Sequence, residues 1–562
     1  MKLRYFYNGL IHTMNPAVPK SPHLLLAGDR ILFCSPERAP LGLDFRESGF
    51  ASTRDRLRDN VECIDLGGRV VLPGLTDAHV HFVWWAVTRT RADLTPSMNE
   101  ADAVRLLQQA AGRPPAGQWI IGHGWSHNAW QPPVAPSRDS LDAVYPDNPV
   151  YLTSKCGHLQ WVNSAALRAA GIDGTTANPP GGEIEMRDRE GKREPSGLLK
   201  ETAGSLVEAH IAPPSADFMR RAVAAAQHEA HALGLTGVHT PESLDDFDLV
   251  QRLAQEGALT MRFNFLIPVA ALDHLTDLRV RHGLGNHLVR VAGVKMFADG
   301  SLGGRTALMY EPFEGEPENL GMSVASAEEI EDATLRANRA GLAMAIHAIG
   351  DRAVSHVLAA FERSRTETGD SGASGSRPFV RNRIEHLQLF AERDIPRIRS
   401  LRPVASMQPV HLCADMGPAD RYWGRRARYA YACRTLFEAG CPLAFGSDAP
   451  VEPINPFYGL YAAVTRRSLD GSPENGWYPE ESLGAWETLA AYTTGPALAA
   501  GVQDEVGDLS AGKLADFIVL AEDPLNVAPE QLRELLPVAT YAGGKCVHAH
   551  DTWCESATGT RL

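Results

Sequence analysis

Residues 289–300 read "VRVAGVKMFADG", a mostly apolar run that closes on a small polar turn. A run of β-branched and aromatic residues ended by Gly reads as a buried strand. Working outward, similar runs recur on both sides. Before it come "VVLPGLTDAHVHF" (70–82), "LTGVHT" (235–240) and "MRFNFLIPVA" (261–270); after it come "AMAIHAIG" (343–350), "RNRIEHLQL" (381–389), "PVASMQP" (403–409) and "PLAFGSDAP" (442–450). Several gaps carry helical patterns, such as "SAEEIEDATLRANRAG", with apolar positions at helical spacing and a Gly to stop it. Strand and helix alternating eight times predict an α/β fold, a (β/α)8 TIM barrel, whose functional residues sit at the C-terminal ends of the strands.

The barrel accounts for residues 71–499, and the rest falls outside it. Residues 1–70 and 500–562 are short, turn-punctuated β-like runs, such as "HLLLAGDRILFCS" and "GDLSAGKLADFIVL", and are expected to combine into one small β-sandwich. Between the first and second strands the chain is far longer than a βα connection needs, which predicts a large insertion, an inserted subdomain at about 85–215, near the barrel mouth. The stretch "TETGDSGASGSRP" (366–378) reads as a surface loop.

Bulk composition narrows the function. With 54 basic against 68 acidic residues and a net charge of -14, the chain lacks the clustered Lys and Arg that a phosphate backbone demands, so nucleic acid is not an expected partner. No stretch has the roughly 18 apolar residues that span a bilayer, and the N-terminal "MKLRYFYNGLIHTMNP" has no signal-peptide pattern, so a cytoplasmic protein without membrane attachment is expected. The eight cysteines show no CxxC spacing, which fits reduced thiols.

Asp77, His79 and His81 alternate along the first strand, and period-2 geometry turns all three to one face. Two imidazoles converging on a point suit a divalent metal such as zinc, although an HxH pair alone is a weak signal. His347 in "IHAIGD" and His386 in "RIEHLQ" fall late in later strands, where each would otherwise read as a satisfied core histidine. Asp448 in "FGSDAP" ends the last strand; it is either a turn or cap residue or a general base beside a metal.

The set "PGLTDAHVHF", "VKMFADGSLGGRTA", "IHAIGD", "RIEHLQ", "ASMQPVH" and "GSDAP", closed by "GDLSAGKLADFIVL", resembles the amidohydrolase superfamily. More closely it is similar to the metal-dependent amidohydrolases of family 3 that include N-substituted formamide deformylases. The resemblance implies that His79 and His81 hold a first metal, His347 and His386 a second, and that Asp448 is a first-metal ligand that also moves protons. It further implies that Lys295 is carboxylated and bridges two zinc ions, or that one metal binds if Lys295 is unmodified. The implied function is hydrolysis of a non-peptide C–N bond, amide or formamide-like, through metal-activated hydroxide, with Asp448 and His386 catalytic. The alternatives are a hydrolytic deaminase of an aminated heterocycle and a non-catalytic regulatory protein on the same fold. A small-molecule substrate and a homodimer complete the expectation.

Other readings of Lys295 stand beside the carbamate: an ion pair with Asp299, a Schiff-base nucleophile, or a strand-end lysine reaching solvent. Arg305 in "SLGGRTA" is a candidate clamp for a carboxylate or carbonyl, or else a loop-stabilising ion pair. Gln408 and His411 in "MQPVH" are candidates to orient the substrate carbonyl, or else cap their strand. His123, Trp125, His127, Trp130 and His158 in the insertion are candidates to wall the mouth, or else form the insertion's own core.

Overall fold

The computed structural model describes residues 3–36, 61–155, 157–369, 381–551 and 553. Most of the expected loop at 366–378 lies outside these residues, and its first three positions end the helix Asp351–Thr368. By internal contacts the chain divides into two units, Met1–Phe82 with Ala226–Leu562, and Val83–Ala225.

In the first unit all eight expected strands form one parallel sheet in sequential order. They are β1 (Leu75–Asp77), β2 (Leu235–Thr240), β3 (Arg262–Pro268), β4 (Val289–Phe297), β5 (Met344–Ala348), β6 (Arg383–His386), β7 (Val404–Met407) and β8 (Leu443–Phe445). The chain segments of β1 and β8 meet edge to edge, with Ala78 N–H donating to Phe445 O at 2.9 Å, Asp448 N–H to His79 O at 2.7 Å and His81 N–H to Ala449 O at 3.0 Å. These bonds close the sheet into a barrel. The meeting requires glycine at 446, because a Cβ there would stand 2.5 Å from both His79 N and Asp77 Oδ1.

Sequence explains the helical layer where caps are strong. Helix Ala327–Arg339 starts on a capping box in which Ser326 Oγ accepts from Glu329 N–H and Glu329 accepts from Ser326 N–H, and it buries Ile330, Leu335 and Ala337. In β4 the pairing with β3 slips by one residue between Val291 and Gly293. The extra residue reverses the alternation, so the face of Val289 does not predict the face of Lys295.

Two further sheets draw on both ends of the chain. One orders Arg30–Phe33, Leu24–Ala27, Leu3–Tyr7 and Val61–Asp65; the other orders Lys545–Ala549, Pro537–Ala542, Phe517–Leu520, Val70–Pro73, Leu10–His12 and Lys20–Ser21. Phe6, Ile11, Leu26, Val71, Phe517 and Tyr541 form a common core, with Phe517 stacked on Tyr541 at 4.4 Å.

The unit Val83–Ala225 has its own six-stranded sheet, ordered Gly182–Arg189, Lys192–Glu201, Leu159–Val162, Val150–Ser154, Ile120–Trp125 and Ala92–Asp93. Trp125, Trp130 and Trp161 pack together in its core. Trp125 is fully buried in that core and donates its indole N–H to Leu152 O at 2.9 Å. Trp130 is likewise core, its N–H held by Ser97 Oγ. His158 in the same unit is hydrogen bonded to Glu201 at 2.8 Å.

Candidate metal centre

The C-terminal ends of the barrel strands gather the titratable residues. His79, His81 and Asp448 each offer a ligand atom within 4.8 Å of the others, the one such group among the described residues. Asp448 Oδ1 lies 3.5 Å from His79 Nε2 and 3.4 Å from His81 Nε2. The expected strand 70–82 is broken in two: Val70–Pro73 joins a terminal sheet, and β1 ends at Asp77. Asp77 is not aimed at the cluster; its carboxylate accepts from His79 N–H, Ser447 N–H and Ser447 Oγ–H. It therefore ties the two ligand-bearing segments together, and burial raises its pKa to about 7.

His79 owes its orientation to residues that the sequence reading passed over. Its Nδ1 lies 2.5 Å from Glu385 Oε2, so Nδ1–H donates and the lone pair falls on Nε2, the atom that faces Asp448. Glu385 is fully buried and paired with Arg383, which also donates to Ser406 Oγ and Ala78 O, each at 2.6 Å. Burial alone would raise the Glu385 pKa, but Arg383 and then Lys295 hold it below the usual carboxylate value. The signal was available: "RIEH" sets Arg and Glu two apart inside a strand with no room for either as a surface charge.

His386 lies with its ring centroid 4.9 Å from that of His79 and 4.5 Å from that of His347. Its Nδ1 donates to Gln408 Oε1 at 2.8 Å, again leaving Nε2 to accept. Gln408 is fully buried, and its Oε1 is the acceptor for His386. His347 donates Nε2–H to Gly300 O at 2.9 Å, which places its lone pair on Nδ1. His411 Nε2 stands 3.8 Å from Asp448 Oδ2, at the edge of the cluster. Both His386 (φ 69) and Asp448 (φ 59) hold left-handed backbone, a conformation that non-glycine residues adopt at some cost and that here turns both side chains at strand ends.

Lys295 Nζ is buried with no hydrogen-bond partner among the described residues, 4.6 Å from the ring of Phe297. Burial, only partly offset by Glu385 and Asp448, lowers its pKa to about 8. Asp299, offered above as its partner, is otherwise engaged: it accepts from the backbone N–H groups of Leu308, Ile349 and Gly350, all within 3.0 Å. The ring of Phe297, a residue the sequence reading did not single out, is 43% exposed and 5.1 Å from the ring of His347, so an apolar face borders the cluster. Arg305 pairs with Glu316 across its own loop.

The donor set fits a divalent metal. Burial first, and then Lys295 or neighbouring histidines, pushes His79 and His386 well below their ordinary pKa and His81 to about 4, so all three are neutral near pH 7, as ligands must be. Asp448 supplies a carboxylate, and a buried amine without a hydrogen-bond partner stands beside them.

A parallel barrel with such a donor set at the C-terminal ends of its strands defines a metal-dependent hydrolase. The chain belongs to the amidohydrolase family, whose model matches residues 62–548. It is 32% identical over 552 residues to Protein LONG AFTER FAR-RED 3 of Arabidopsis thaliana, covering 96% of this chain and 90% of that one. It is 28% identical over 501 residues to the N-substituted formamide deformylase of Arthrobacter pascens, covering 86% and 89%. Among solved structures it resembles an uncharacterized metal-dependent hydrolase of Pyrococcus furiosus, with a TM-score of 0.71, 27% identity and coverage of 93% and 100%. No helix among the described residues is long and apolar enough to cross a membrane.

Proposed function

We propose that this protein hydrolyses a non-peptide C–N bond of amide or formamide type in a small molecule. The observation that carries the reading is the buried amine of Lys295, without a hydrogen-bond partner, set among neutral histidines and the carboxylate of Asp448. His79, His81 and Asp448 would hold one divalent ion, zinc by ligand preference; His347 and His386 would hold a second. Neutral Lys295 Nζ attacks carbon dioxide, an N–C bond forms, one proton leaves, and the resulting carbamate is an anion able to bridge both ions. When bound, the metal supplies Lewis acidity that lowers the pKa of water and polarises a carbonyl.

The chain's own groups do the rest. Asp448 accepts a proton from the attacking water and returns it to the leaving nitrogen, which departs only when protonated. Glu385 and Gln408 hold His79 and His386 in single tautomers. His411 stands beside Asp448 as a donor to a developing oxyanion. Phe297 offers an apolar face to the substituent next to the scissile bond.

Two measurements test this. Metal per chain is expected near two in the native protein and near one in Lys295→Ala; equal values with activity kept would sink the bridging carbamate. On a panel of N-substituted formamides and aminated heterocycles, formate plus amine is expected. Release of ammonia from the heterocycles alone would replace this reading with a deaminase.

A further inference from the structure

At the end of the barrel opposite the histidines, Thr76, Thr236, Gly237, His239, Arg262 and Asn264 line a cavity of about 20 Å³, room for roughly one water. The charges at its edge are neutralised in pairs, Arg262 with Asp516 and Arg290 with Glu505, so it suits a neutral hydrogen-bonding molecule better than an ion. His239 is completely buried. Arg383 Nη1 lies 2.7 Å from His239 Nδ1, and because a guanidinium only donates, Nδ1 must accept. The proton of the neutral ring therefore sits on Nε2, which has no partner among the described residues.

Arg383 is shared. The same guanidinium holds Glu385, and Glu385 takes the Nδ1 proton of His79. A continuous line of hydrogen bonds thus runs through the barrel interior, from the cavity by way of His239, Arg383 and Glu385 to His79. We propose that His239 is a positioning residue for the metal centre: anchored by a water-sized acceptor in the cavity, it fixes Arg383 and Glu385 and so aims His79 from within the barrel.

The inference rests on the metal reading above, so its test measures metal affinity rather than turnover. Zinc dissociation constants would be taken by chelator competition for the native protein, His239→Gln and His239→Leu, with circular dichroism to verify the fold. Gln can accept from Arg383 through Oε1 and donate to the cavity through Nε2; Leu can do neither. Loss of an outer partner typically weakens a metal site about 10–100-fold, so His239→Leu is expected to bind zinc at least tenfold more weakly and His239→Gln within about threefold of native. Native affinity in both variants, or equal loss in both, overturns the role of His239. Should His239→Leu not fold, His239→Met supplies the apolar comparison. A native protein that takes up no divalent ion would overturn the metal reading itself and this inference with it.

Discussion

Phe297 sits where a strand's last side chain leaves the barrel wall, exposed on one side and close to Lys295 and His347 on the other. Covering that exposed face with a substrate's apolar substituent is worth about 1–2 kcal/mol at ~25 cal/mol per Å². Phe297→Ala is therefore expected to raise KM about tenfold for aryl-substituted substrates while leaving KM for small ones nearly unchanged, read from initial rates on both. Single residues were legible in the sequence in proportion to how local their role is. His79 and His81 announce themselves by spacing, and Lys295 by being charged inside an apolar run. Glu385, Arg383 and His239 do not, because each gains its meaning from a partner on a different strand. Gln408 was noticed for the right reason, a polar residue at a strand end, yet its partner is His386, which a single strand's pattern does not reveal.

At the level of elements, all eight barrel strands were legible, since each is a short apolar run with a polar terminus. The first was overextended, because Asp77 spends its carboxylate on His79 N–H and Ser447 and so ends β1. The seam between β1 and β8 makes a sharp test. Gly446→Ala places a methyl 2.5 Å from His79 N, so a loss of about 1–3 kcal/mol in urea unfolding is expected, with weaker metal uptake. Helix Ala216–Ala232 offers a pH test through His231, which donates to Leu235 O and is hydrogen bonded to Thr260. Burial lowers its pKa from 6.5 to about 4, so between these values the unfolded chain binds the extra proton. Its contribution is intact above pH 6.5 and fades as pH falls toward 4; roughly 2.5 kcal/mol is lost by pH 4.5. In His231→Gln, urea titrations at pH 7 and pH 4.5 should differ by that much less than in the native protein.

For the whole molecule, two units with separate cores make a single unfolding transition a poor expectation. A bound metal stabilises only the unit that holds it, by about 2.7 kcal/mol when its concentration is a hundred times Kd. Scanning calorimetry with and without a chelator is expected to move the transition of the barrel unit downward and to leave that of Val83–Ala225 in place; a uniform shift would contradict the assignment of ligands to the barrel alone. The insertion was visible in the sequence as surplus length, but its sheet was not, since short strands such as Ala92–Asp93 carry no period long enough to read.

The seam also sets a schedule. Asp77 and Ser447 are 370 residues apart in the chain yet hydrogen bonded, and His79 and Asp448 stand just beyond them. On a ribosome adding about 5–20 residues per second, His79 and His81 wait roughly 20–70 s for Asp448. During that interval His79 and His81 stand without Asp448. Under the proposed ligand set, metal capture belongs to the finished polypeptide, after its final strands, and a nascent chain truncated before Ser447 would emerge without it.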